Sequence, residues 1–258
     1  MPNMNLLSLL QPARHMLGYM RNVKTDLLAF ARQLAASARD SKVAKAFQET
    51  VHLLRTAFFE ASTAVDTLAD VIQPLSMCVA PPDDELTGWL WQIRDMYQYV
   101  INAWGDAIGA FKRAIDALCK LDQIIARSFT SSSPVRRALY KASLPVVARC
   151  KLVKPSPRVI ILTAGRATLA NIRSNMLALA DLAQDIQTAT FEARSKFLLD
   201  VKDEKALEGD TSQDEHWTAL ANDVDAAVND LDNISEDMKA TAAKVGQIAV
   251  AGRKRRCN

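Results

Sequence analysis

Glycine and proline are scarce in this chain, 8 and 9 of 258 residues. A β-rich fold needs such residues at its many turns. Their scarcity, beside abundant Ala, Leu, Asp, Lys and Arg, points to long helices. Cysteine is sparse as well. Cys78, Cys119, Cys150 and Cys257 lie far apart and form no CxxC pair, which excludes a disulfide framework or zinc knuckle as the organising device and fits a reducing compartment. Histidine is limited to His15, His52 and His216, three singletons with no HExxH spacing, and the chain contains no Walker-type, GxGxxG or GxSxG loop. No catalytic, metal or cofactor motif is therefore legible, and a non-enzymatic protein without a cofactor is expected. The N-terminal MPNMNLLSLLQPARHML has no early positive charge and only a short apolar run, so no secretory signal is expected. No window approaches the ~18 uninterrupted apolar residues of a membrane-spanning helix. The expectation is a soluble, cytoplasmic protein that meets a membrane, if at all, from its periphery.

The most informative absence is of one charge sign. From Gln123 to Ala180, 58 residues, there is no Asp or Glu, while ten bases occur. At the chain's average of 29 acids in 258 residues, such a window would hold about six. The opposite bias follows, because residues 181–238 carry a net charge of −12. The overall +3 thus conceals blocks of −1 (1–122), +10 (123–180), −12 (181–238) and +6 (239–258). Blocks of one sign are footprints for a partner of the other. The bland alternative is internal, with the +10 block docked on the −12 block.

What is present is helical periodicity. Leu86, Leu90, Ile93, Tyr97, Val100, Trp104, Ala107, Phe111, Ala114, Leu118, Leu121 and Ile125 recur at spacings of three and four, a heptad seam that asks for a helical neighbour. A second seam runs through Leu162, Leu169, Ile172, Met176, Leu179, Ala183 and Ile186. A third runs through Leu220, Val224, Val228, Leu231, Ile234, Met238, Ala242, Val245 and Ile248. Shorter stripes, Leu10 to Leu34 and Phe47 to Leu75, mark two more helices, with a turn favoured near Arg39–Ser41 over one continuous helix. Ser156-Pro157 is a helix-start pair, and Ser212 with Glu215 forms a capping box. The predicted fold is all-α, a single bundle over 1–250 of about five long antiparallel helices with coiled-coil-like seams. The helices are placed at about 4–38, 42–76, 84–129, 157–207 and 213–250. A cationic insertion (130–156) and a basic tail (251–258) complete the chain. Around 144–163 the β-branched VVARCKLV leaves two readings open: a short β-hairpin or irregular insertion, or a helix over 135–153 and a Pro-rich turn into the next helix. Gly105 and Gly109 form a GxxxG, read as tight packing inside the bundle or as a bend. Trp89, Trp91, Trp104 and Trp217 are read as core or rim residues.

The candidate contact residues lie in the acid-free block. Arg136, Arg137, Lys141, Arg149, Lys151, Lys154 and Arg158 flank apolar clusters, of which Val159, Ile160, Ile161 and Leu162 are the most continuous. Cationic residues beside aliphatic ones suit an anionic lipid surface or an acidic protein surface. Nucleic acid ranks below lipid, because Phe129 and Tyr140 are the block's only aromatic stacking groups. The tail residues Arg253, Lys254, Arg255, Arg256 and Cys257 form a second basic patch; it is not a CaaX box.

In architecture alone, long helices with an insertion between the third and fourth resemble the α-helical pore-forming toxins of the cytolysin A and haemolysin BL type. That likeness implies that residues 135–165 are the membrane-contacting element and that a homo-oligomer forms. The apolar runs here are short and interrupted by Arg and Lys, which favours surface association over a spanning hairpin. The alternatives are an intracellular coiled-coil scaffold whose seams take partner helices and, behind it, a nucleic-acid-binding bundle.

Overall fold

The computed structural model describes residues 9–37, 41–76, 83–130, 157–202 and 214–254. They form five α-helices: α1 (Leu10–Ser37), α2 (Ser41–Ser76), α3 (Asp83–Thr130), α4 (Pro157–Lys202) and α5 (Asp214–Lys254). Among the described residues there is no strand. The 48 residues of α3 make a helix about 72 Å long at 1.5 Å per residue. Its first turn is acidic, Asp83-Asp84-Glu85, as the positive end of a helix dipole favours. Pro157 opens α4, where its fixed φ suits a first helical residue and its missing N–H costs nothing. Pro157 to Thr163 is helical, so a hairpin reaching to 163 is corrected to the start of α4; residues 144–156 lie outside the described residues.

Contacts between the helices set their order and direction. Arg14 bonds Asp230, and Arg21, seven residues on, bonds Asp237, again seven on; α1 and α5 are parallel. Asp122 meets Arg166 while Ile101 meets Gln187, so α3 and α4 are antiparallel. Arg55 lies against Gly246 while Asp66 bonds Lys239, so α2 and α5 are antiparallel too. Hence α1 and α2 run in opposite directions, and the chain reverses between them instead of continuing as one helix. The six residues 77–82 span at most about 25 Å, less than the length of α2, so α3 turns back along α2. The helices alternate in direction throughout. Each packs on two neighbours in the order α1, α4, α3, α2, α5 and back to α1, a closed ring.

The apolar stripes fill the inside of that ring. Tyr97, Val100, Trp104, Ala107, Phe111, Ala114, Leu118, Leu121 and Ile125 of α3 are buried, as are Leu169, Ile172, Met176, Leu179, Ala183 and Ile186 of α4. On α5 the stripe is buried from Val224 to Ile248 except Val228, which is partly buried. A residue every three or four positions lies on one helical face. Over these described residues the apolar stripes are thus covered within the chain. Trp104 is fully buried, whereas Trp91 is exposed and stacks on Arg94, whose guanidinium carbon lies 4.1 Å from the ring centroid.

Polar groups cross-link the helices at a few points. Thr50 Oγ1 donates to its own helix at Ala46 O (2.8 Å) and reaches Ala117 O of α3 at 3.4 Å. Ser235 Oγ donates to Ser62 O across α5 and α2. At Gly105 a Cβ would sit 3.2 Å from Gln187 Nε2, which donates 2.9 Å to Ile101 O. Gly105 is therefore a point of close approach between α3 and α4. Gly109 is not, since a Cβ there would meet only Arg113 of its own helix.

Burial pushes the Tyr97 hydroxyl up to about 12. Below pH 10 tyrosine is neutral in folded and unfolded chains alike. As pH climbs from the ordinary value toward 12, the unfolded chain ionises while the folded one does not, and stability is lost. The loss across that window is about 2 kcal/mol. Denaturant titrations from pH 9 to 12 should show it in the wild type and not in Tyr97→Phe; parallel curves for the two would contradict it.

Candidate functional site

With five alternating helices, one end of the bundle collects the C-termini of α1, α3 and α5 and the N-termini of α2 and α4. This end is cationic. Arg32 of α1, Lys42 and Lys45 of α2, Arg127 of α3, Arg158 and Arg166 of α4, and Arg253 and Lys254 of α5 all fall in the turns nearest it. Against them stand Glu49 and Asp122. The three segments that leave or re-enter the helices here, 38–40, 131–156 and 255–258, add nine Lys or Arg and one Asp. Three of the five helices point their negative dipole ends this way, which favours bases such as Arg127 in the last turn of α3.

The far end has the opposite character. Asp66 and Asp70 of α2, Asp83, Asp84, Glu85 and Asp95 of α3, Glu192 and Asp200 of α4, and Asp214, Glu215, Asp223 and Asp225 of α5 lie toward it, against Arg14 of α1, Arg94 of α3 and Arg194, Lys196 and Lys202 of α4. The connecting residues 203–213 add four acids and one base.

The two charge blocks of the sequence do not pair with each other among the described residues. The acids of α5 turn to α1 and α2: Asp230 to Arg14, Asp237 to Arg21 at 2.6 Å, while Lys239 bridges Asp66 and Glu236, each at 3.1 Å. The hydrogen bond to Asp66, reinforced by Glu236, holds the Lys239 ammonium above its ordinary value. These pairs are half-exposed, and each contributes little, about 0–1 kcal/mol. From the acid-free block, Arg166 makes a bidentate pair with Asp122 of α3 at 2.7 and 2.9 Å. Arg173 reaches the Cys119 Sγ at 3.9 Å. In the ring, α1 separates α4 from α5, so the acids of α5 are not ring neighbours of the bases of α4, while the acidic block itself begins on α4, at Asp181.

Of the contact residues expected from sequence, Arg158, Val159, Ile160, Ile161 and Leu162 occupy the first two turns of α4, and Arg253 and Lys254 close α5. Arg136, Arg137, Lys141, Arg149, Lys151 and Lys154, with Arg255, Arg256 and Cys257, lie outside the described residues. Sequence reasoning missed Arg32, Lys42 and Lys45. They come from parts of the chain with near-balanced charge, and only the alternation of helix direction brings them to the same end. Among the described residues no cluster of three or more His, Cys, Asp or Glu could hold a metal ion, and no helix is long and apolar enough to cross a membrane. His15 and His52 are exposed on separate helices.

No family model matches the chain, and neither a curated protein nor a solved structure is significantly similar to it.

Proposed function

We propose that this protein is a helical bundle that acts by binding, standing with its cationic end against an anionic lipid surface. The observation that carries the reading is that the end of α3, the start of α4 and the end of α5 meet at one end of the bundle, and that the sequence attached to them, 131–156 and 255–258, is basic. Basic residues near an anionic leaflet contribute about 1 kcal/mol each, so even half a dozen in contact make a firm association. Lipid is favoured over nucleic acid by the aliphatic residues interleaved with these bases, Leu139, Leu144, Val146, Val147 and Val159 to Leu162. Burying them at the headgroup boundary adds an area-dependent gain that a phosphate backbone does not offer. The contact is peripheral, and a membrane-remodelling or pore-assembly role would build on it through association of several copies. The scaffold alternative is weakened, because the seams that would take partner helices are buried within the chain.

Vesicle flotation tests the reading. The protein should rise with phosphatidylserine-containing vesicles and stay behind with phosphatidylcholine alone. Raising salt from about 0.1 M to 1 M, which shortens the screening length from about 10 to 3 Å, should release it. Binding indifferent to lipid charge would overturn the proposal.

A further inference from the structure

Between α3 and α4, in the cationic half of the bundle, lies a groove of about 410 Å³ lined by side chains of Leu118, Cys119 and Asp122 on one wall and Arg166, Leu169, Ala170 and Arg173 on the other. That volume falls within the range of about 300–1,000 Å³ for small-molecule clefts. Leu118 and Leu169 are buried and form an apolar floor. Ala170 is exposed and, having only a methyl group, leaves the channel open above that floor. Arg166 and Arg173, seven residues apart, lie about 10 Å from each other on one face of α4. They differ in their acceptors. Arg166 is fixed by both oxygens of Asp122. Arg173 is exposed, and its hydrogen-bond acceptor among the described residues is the Cys119 thiol sulfur at 3.9 Å. Sulfur is a weak acceptor, and a guanidinium is matched far better by a phosphate or carboxylate. The groove's ionic side chains, two Arg and one Asp, leave one net positive charge beside an apolar channel.

The geometry points to a binding site for a small amphiphilic anion, a phosphate on an aliphatic stem, with the phosphate on Arg173 and the stem lying over Ala170 against Leu118 and Leu169. This inference stands apart from the end-on membrane contact, since the groove opens on the flank between two helices. The same chemistry occurs in a bilayer phospholipid and in a free alkyl phosphate, and the two sources can be separated.

Cys119 is the reporter. With Cys78, Cys150 and Cys257 replaced by serine, the rate of maleimide modification reports on Cys119 alone. Octyl phosphate below its micellar concentration should slow that reaction, and octyltrimethylammonium, with the same stem and the opposite charge, should not. Arg173→Gln should raise the concentration giving half-protection by about tenfold or more, the worth of a charge-assisted bond. Ala170→Trp, at an exposed position, should fill the channel and abolish protection while leaving the helical CD spectrum and the melt unchanged. Protection by phosphatidic acid vesicles would support the site with a bilayer lipid as its source; protection by octyl phosphate alone would support it with a free amphiphile. Equal protection by the cationic surfactant, equal protection by inorganic phosphate, or an unchanged Arg173→Gln would each overturn the assignment. Flotation reads the cationic end independently, so either idea can fail while the other stands.

Discussion

Replacing Arg253, Lys254, Arg255 and Arg256 together with glutamine should weaken binding to anionic vesicles by roughly a thousandfold, at about 1 kcal/mol for each lost charge. The substitution begins beyond Ile248, the last residue of α5 known to be buried. Thermal stability should therefore stay within a degree or two of the wild type. An equal change at the other end, Asp83 and Asp84 to asparagine, should leave vesicle binding unaltered or slightly stronger. Sedimentation of each variant with vesicles of graded phosphatidylserine content measures the effect. A quadruple variant that binds as the wild type does would remove the tail from the contact and leave the α3–α4 connection to account for it alone. The matching change there, Arg149, Lys151 and Lys154 to glutamine, separates the two contributions.

Trp104→Ala should be the most damaging single truncation in the core. The indole is fully buried among the inward faces of the ring, and removing so large a side chain costs about 3–5 kcal/mol through lost transfer energy and the cavity left behind. For a chain of this size that corresponds to a fall in Tm of roughly 10 °C. Trp104→Phe should cost much less. The indole Nε1 meets no acceptor among the described residues, and an unmatched buried N–H is itself a burden of about 1–3 kcal/mol, which phenylalanine removes along with some volume. Chemical denaturation of the two variants decides between these accounts; equal losses would mean that the N–H has a partner and that packing alone does not set the cost.

The helices themselves were readable from the sequence because burial on a helix imposes its own period. Val100, Trp104, Phe111 and Leu118 had to share a face, and that face had to go inside. The starts of α3 and α4 fall within a residue of Asp84 and Pro157, where acids and proline have definite reasons to stand. The identity of each helix's neighbours was not readable. A seam of leucine, isoleucine and alanine packs equally well on any similar seam, and contacts that mark one pairing, such as Gln187 with Ile101 and Arg166 with Asp122, join residues whose partners nothing in the sequence announces. Of the candidate site, the acid-free run and the tail were plain from composition. Their convergence was not, because it depends on the number of helices. An even number would have put the tail at the other end. Nor could the sequence show which acids the α5 helix would spend on Arg14 and Arg21, since ion pairs on a helical surface are chosen by rotation about the helix axis, not by proximity along the chain.

The length of α3 has a bearing on how such a molecule meets a charged boundary. Its ends stand about 72 Å apart, some nine screening lengths at physiological ionic strength. Each end therefore experiences only its own surroundings, and mutual attraction between them across the molecule is negligible. Near an anionic plane the bundle is subject to a turning force that brings the positive end down and swings the negative end away. Arrival should be upright, with the carboxylates held off in the solvent, where a cationic protein could occupy them without disturbing the foot.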